Sequence, residues 1–192
     1  LVALFVDNVR INLGVLLLAA IFHFLATVSL WIWGAGDPTA VVFNLDTTGL
    51  VFLSVTSLIF LAASLYSIPY VIESTHHEQA APHRFVPCLL WFVAAMTLVA
   101  STQHLAVLWA AVEATTLASA PLVFFYRRRE AIEATWKYLL ICSVGIALAL
   151  LGTLFLGIAA AGATGAESSL TLDALMRVAP SMPRPWLKAA FV

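Results

Sequence analysis

The sequence predicts an all-α polytopic membrane protein, and three observations carry that prediction. Of 192 residues, 62% are hydrophobic and only 10% are charged, with a mean hydropathy of +1.01, a balance outside the range of soluble domains. Apolar runs recur at 11–33, 50–72, 85–102, 105–126 and 134–160, each near the roughly 20 residues that a spanning helix needs. None of them alternates polar with apolar residues, and their lengths are about twice that of a tilted barrel strand. Five transmembrane helices are therefore predicted, with a sixth beginning at about residue 186.

The chain begins at Leu1 rather than Met and ends at Val192 inside a fresh apolar stretch, so a fragment of one membrane domain is expected. Asp7 and Arg10 precede a first run that is too long for a signal core, and no small-residue cleavage site follows it. Asp46, with Thr47 and Thr48 beside it, is placed to cap the second helix or meet its first amides. Between 161 and 185, Leu172, Leu175, Met176 and Ala179 stand at helical spacing before Pro180. That spacing predicts a short amphipathic helix over 171–179, lying on the outer membrane surface. Gly145, Ala149 and Gly152 form a small-residue packing stripe on the fifth helix.

Basic residues set the orientation. Arg10, Arg84 and the 127–129 arginine triplet alternate with connections at 34–49 and between the third and fourth spans that carry no lysine or arginine. The positive-inside bias then places Leu1, the 73–84 loop and the triple-arginine loop in the cytoplasm, in a multi-pass protein of a prokaryotic-type cytoplasmic membrane. A net charge of -1 with a pI near 6.6 offers no basic surface to a polyanion, which excludes nucleic acid as a partner. Cys88 and Cys142 lie in apolar segments without ligand-spaced companions and read as small core residues.

One acid lies inside the spans. Glu113, in LWAAVEATTLASAP, is the ninth residue of the fourth predicted helix. An ionisable group at a helix centre costs roughly 2.5–3.5 kcal/mol on insertion scales, so such a residue marks function. It is either neutral through burial or ionised beside a cation or water, and both states suit a proton carrier. Small neighbours, with Thr116 among them, let helices and water approach, and Pro121 frees the carbonyl of Leu117 about one turn away. Glu133 and Lys137 stand four apart in the favourable order for a helical ion pair, with Lys137 about one turn into the membrane. His23, near the middle of the first span, is a packed or hydrogen-bonded helix residue and a candidate proton relay. His23 and His104 lie at opposite depths on different helices, a poor pair of haem ligands. His76, His77 and His83, with Glu73 and Glu78, read as solvated loop residues rather than a metal site. No catalytic, cofactor-binding or metal-binding residue is assigned.

Several stretches together resemble the proton-conducting, antiporter-like membrane subunits of the superfamily that joins complex I, Mrp antiporters and energy-converting hydrogenases. They are VEATTLASA around Glu113, EATWKYLLICSVG around Lys137, Asp46 ahead of an apolar helix, and YSIPY at 66–70. The likeness is strongest over 45–154, and the hydrogenase 4 component F (formate hydrogenlyase) type is most similar. It implies an antiporter-like fold with two inverted repeats of five helices, each holding a broken helix near the midplane, of which these spans are the second to sixth. It makes Glu113 the fifth-helix glutamate and Lys137 the sixth-helix lysine. The family's partner lysine stands in a GTK segment on a broken helix ahead of a WLPDAH-like motif. Neither lies within these 192 residues, and Lys188, at the very start of the incoming helix, is not that lysine.

The resemblance implies a proton-translocating, non-redox subunit of an oxidoreductase complex of respiratory or hydrogenase type. Protons would move through Glu113 and Lys137, with His23 as a further candidate and Glu133, Thr116 and Pro121 in support. Iron–sulfur and nickel–iron centres would sit in partner subunits, and the partners of this chain would be other membrane subunits, lipid, and protons or sodium ions. A sodium/proton antiporter subunit of Mrp type, or a degenerate packing or assembly subunit, are the alternative readings.

Overall fold

The structure, a computed structural model, describes residues 8–34, 42–74, 82–125, 128–164 and 170–191. Residues 75–81 of the histidine-bearing loop, the side chain of His83, Arg127 of the arginine triplet, and the segments 1–7 and 165–169 lie outside the described residues.

Five long helices follow one another: α1 (Val9–Trp33), α2 (Thr47–Ser74), α3 (Pro82–Ser101), α4 (Leu105–Val123) and α5 (Arg129–Thr164). All five are long and apolar enough to cross a membrane. Two short helices close the chain, α6 (Leu172–Val178), which runs into a 3-10 turn at Ala179–Ser181, and α7 (Arg184–Ala190). The described residues form no strand, only isolated bridges between Phe43 and Thr102 and between His104 and Thr171. The all-helical polytopic fold is as predicted.

Local chemistry fixes the helix starts. Asn8 caps α1 by accepting the Arg10 amide at 3.1 Å, and Asp46 caps α2 by accepting the Gly49 amide at 2.7 Å, each satisfying a first-turn donor that lipid could not. Pro82 opens α3, where the missing amide hydrogen costs nothing. Gly34 ends α1 at φ 88, a left-handed region that favours glycine.

Helices α1 and α2 pack along a seam of alternating three- and four-residue steps. On α1 the stripe is Leu13, Leu16, Ala20, His23 and Thr27, all buried except the half-buried His23. On α2 it is Leu50, Leu53, Ser57, Phe60, Ser64, Ser67 and Val71, all buried. This is the spacing of a coiled-coil interface, and three small serines on it let the backbones approach. Val86 and Val93 of α3 join the same core. At the end where α2 begins, a Cβ on Gly49 would collide with the carbonyl of Ala100, so α2 and α3 meet at a distance only glycine permits.

That end is closed by a small backbone clasp. Gln103 N donates to Val42 O at 2.9 Å, Asn44 N to Ser101 O at 3.0 Å, Leu105 N to Leu170 O at 3.0 Å and Leu172 N to Gln103 O at 2.9 Å. Three connections, those before α2, between α3 and α4 and before α6, thus meet at one end of the bundle. At the opposite end Tyr70, Phe85 and Phe125 pack as a tilted and edge-to-face cluster with ring centroids 5.5 to 6.2 Å apart.

The small-residue stripe on α5 packs in part. Gly152 faces the Ala190 carbonyl of α7, whereas Gly145 has nothing within 4 Å and Ala149 is exposed. Only the lower part of the expected packing face is covered by the described residues.

Candidate functional site

Glu113 stands near the middle of α4. It lies on the stripe Trp109, Glu113, Thr116 and Ala120, of which Thr116 and Ala120 are buried and Glu113 half-buried. Two hydrogen bonds tie this helix to α5. The Trp109 indole donates to the Ile146 carbonyl at 2.7 Å, and the Tyr138 and Ser119 hydroxyls meet at 2.7 Å. Ser119 already donates to the Thr116 carbonyl at 2.9 Å, so the Tyr138 hydroxyl is the donor of the pair.

These ties set the register of two antiparallel helices. Trp109 sits opposite Ile146 and Ser119 opposite Tyr138, which brings Glu113 level with residues 142–144. Lys137 is then roughly six residues, or about 9 Å, further along the axis. Among the described residues the Glu113 carboxylate has no hydrogen-bond or ion-pair partner. Lys137 instead pairs with Glu133 one turn back on its own helix, with both side chains largely exposed. The structure therefore does not bring Glu113 and Lys137 into contact. It leaves one acid inside the bundle and one cation able to act on it only through space.

The supporting residues fall at distinct places. Thr116 is buried and directs its hydroxyl to the Val112 carbonyl at 3.4 Å. Pro121 does not end α4, which continues to Val123. It lines, with Ala114, Leu117 and Ala118, a groove of about 350 Å³ against Cys88 and Trp91 of α3. Asp46 has the capping role described above.

His23 is the surprise. Its Nδ1 lies 3.0 Å from Ser57 Oγ on α2 and its Nε2 lies 3.0 Å from Thr97 Oγ1 on α3. One imidazole thus bridges three helices, and Phe60 meets it edge-on at 6.1 Å. Sequence reasoning singled out His23 and missed Ser57 and Thr97. The available signal was the serine positions in the three-and-four spacing of α2, which place Ser57 on the buried seam. His104 lies far from this node, at the α3–α4 corner beside Thr171.

Five helices long and apolar enough to cross a membrane define a polytopic membrane protein, and comparison with known proteins shows what it is similar to. Over 150 residues, 74% of the chain, the sequence is 32% identical to the hydrogenase-4 component F homolog of Methylacidiphilum infernorum (isolate V4), covering 31% of that protein. The fold matches a chain in the structure of the membrane-bound sulfane sulfur reductase, an archaeal respiratory membrane complex, with a TM-score of 0.67 at 20% identity. That match covers 95% of this chain and 36% of the other. The chain thus spans about a third of the length of either relative. No family model matches it. The likeness first drawn from the residues around Glu113 and Lys137 points to the same kind of protein, a hydrogenase-4 component F homolog, to which this chain is similar over 150 residues.

Proposed function

We propose that the chain is part of a membrane subunit of a respiratory or hydrogenase-type redox complex, and that Glu113 carries protons in it while partner subunits perform the electron chemistry. The observation that supports this most is the placement of Glu113: half-buried, mid-helix, on the stripe that faces α5, and without a partner among the described residues. A carboxylate held only for packing would be expected to have its oxygens bonded, because an unsatisfied polar group in a bilayer costs several kcal/mol. A carboxyl that exchanges its proton needs instead a free lone pair and a route for water, and the small residues Ala110, Ala114 and Thr115 provide room for one.

Lys137 tunes this acid rather than binding it. It stands about six residues further along the axis than Glu113, on the neighbouring helix, so any influence is a field rather than a contact. Its ammonium is already engaged by Glu133 on its own helix. Iron–sulfur and nickel–iron centres are assigned to partner subunits on this reading, and the lateral surface of α5 faces lipid or those subunits.

Glu113→Gln keeps the volume and the hydrogen-bonding atoms but removes the exchangeable acid. In the intact complex, reconstituted in liposomes, proton translocation per redox turnover is expected to fall at least tenfold with assembly unchanged. Glu113→Asp retains part of the activity. Full pumping by the Gln variant would falsify the proton-carrier role and leave Glu113 as a packing residue. Pumping that follows sodium rather than pH would favour the Mrp-type reading.

A further inference from the structure

The network around His23 fixes where its protons are. Thr97 donates its only hydroxyl hydrogen to the Val93 carbonyl at 2.8 Å, so its oxygen can meet the ring only as an acceptor, and Nε2 carries a hydrogen. Ser57 is fully buried, and in a neutral ring its hydroxyl donates to Nδ1. If a proton reaches Nδ1, the same contact reverses: Nδ1–H donates, and Ser57 turns its hydrogen to the carbonyl one turn back on α2, that of Leu53. Both ring states are therefore satisfied by the same three residues with only hydroxyl rotations.

A second observation points along the same interface. Ser64 is fully buried, and its hydroxyl oxygen has no hydrogen-bond partner among the described residues. Buried hydroxyls are bonded almost without exception, to water where protein cannot reach them. Ser64 stands two turns from Ser57 on the same face of α2, about 10 Å along the axis, a span that a short chain of waters bridges. Buried Ser67 and Asn12 continue the polar line towards the end where α2 finishes. In the other direction Ser101 bonds the Thr97 carbonyl at 2.9 Å, and buried Thr102 follows it into the clasp.

We propose that His23 is a proton-relay site that passes protons between Ser57 on α2 and Thr97 on α3, at the centre of a hydrated polar file along the α1–α2–α3 interface, separate from the Glu113 site. A proton arriving through Ser57 binds Nδ1. The Nε2 proton leaves by way of the Thr97 hydroxyl, whose own hydrogen swings from the Val93 carbonyl to the next acceptor. The ring is left with its hydrogen on Nδ1, and the starting tautomer returns only by proton exchange, Nδ1 giving its proton to a water of the file and Nε2 taking one from another once the ring has turned. Among the described residues no charged group shares a hydrogen bond with the His23 ring. On α1 the nearest is Arg10, on α2 Asp46, Tyr66 and Glu73, and on α3 Cys88 and Arg84, each two turns or more from the node along its helix.

The test is potential-driven proton uptake into liposomes containing the full-length protein in its complex, read with an internal pH dye under a potassium diffusion potential. His23→Gln retains a donor and an acceptor but cannot carry the extra proton, and uptake is expected to fall at least fivefold in an otherwise unmodified background and in a Glu113→Gln background. Ser64→Ala is expected to lower uptake about threefold, because it removes the hydroxyl that holds the waters of the file, with insertion and assembly of the complex unchanged. A purely structural tie predicts unchanged uptake in both variants, and that result overturns the proposal, as does wild-type uptake no greater than that of protein-free liposomes. Loss of uptake in Glu113→Gln with none in His23→Gln likewise overturns it while leaving the Glu113 reading intact. Should His23→Gln fail to insert, nitrogen NMR of the unmodified ring decides: protonation at Nδ1 on acidification with the Thr97 contact retained supports the relay, and a ring that stays neutral overturns it.

Discussion

Asp46 and Gly49 show how much one turn of helix can specify. The carboxylate accepts the Gly49 amide, and the missing side chain of Gly49 admits the Ala100 carbonyl of α3. Cap and close approach are thus set within three residues. Asp46→Ala removes only the cap and is expected to cost about 1 kcal/mol, while Asp46→Asn retains most of it. Gly49→Ala places a methyl group against backbone that cannot step aside, and a larger loss of about 2 kcal/mol or more is expected from overpacking. Thermal unfolding in detergent should rank the variants in that order, with Asn nearest the parent. The reverse ranking would place the junction elsewhere.

At the scale of elements, the ties between α4 and α5 decide what Glu113 can meet. Tyr138 and Ser119 are one such tie and Trp109 with Ile146 the other. A double-mutant cycle of Tyr138→Phe and Ser119→Ala should show a coupling of about 1 kcal/mol, and additive effects would mean that the two hydroxyls do not pair. The existence of these helices was legible in the sequence because a bilayer demands long apolar runs. Their ends were less so. The fifth run was expected over 134–160, yet α5 spans Arg129–Thr164, since the polar REAIE segment continues the helix through good helix formers and the Glu133–Lys137 pair. The fourth was expected to reach 126 and ends at Val123, with Phe125 turning away to join the aromatic cluster. Glu113 was legible because an acid within a span has so few innocent explanations. Ser57 and Thr97 were not, because hydroxyl residues are common in spanning helices and only the adjacency of α1, α2 and α3 gives these two a shared ligand.

For the molecule as a whole, topology is the property that sequence and structure approach from different directions. Arg10, Arg84, the 127–129 arginines and Lys137 are six of the nine basic residues, and the positive-inside bias gives the expectation that their end is cytoplasmic. The fold sorts the connections independently of charge. The clasp joins the chain around Val42, Gln103 and Leu170 at one end, and the Tyr70, Phe85 and Phe125 cluster joins the end of α2, the start of α3 and the end of α4 at the other. The division by contacts is the same as the division by charge, as five spanning helices in up-and-down order require. Single cysteines at Arg129 and at Asp173, in a background with Cys88 and Cys142 replaced by Ala, test the assignment. In intact cells a membrane-impermeant thiol reagent is expected to label the Asp173 position and to reach the Arg129 position only after the membrane is opened. Changing Arg127, Arg128 and Arg129 together to Gln removes half of the six-residue bias and should yield a mixed or inverted labelling pattern, or poor insertion. Normal labelling with proton translocation lost would instead place these arginines on the ion path, and would move the site away from Glu113 towards the α4–α5 turn.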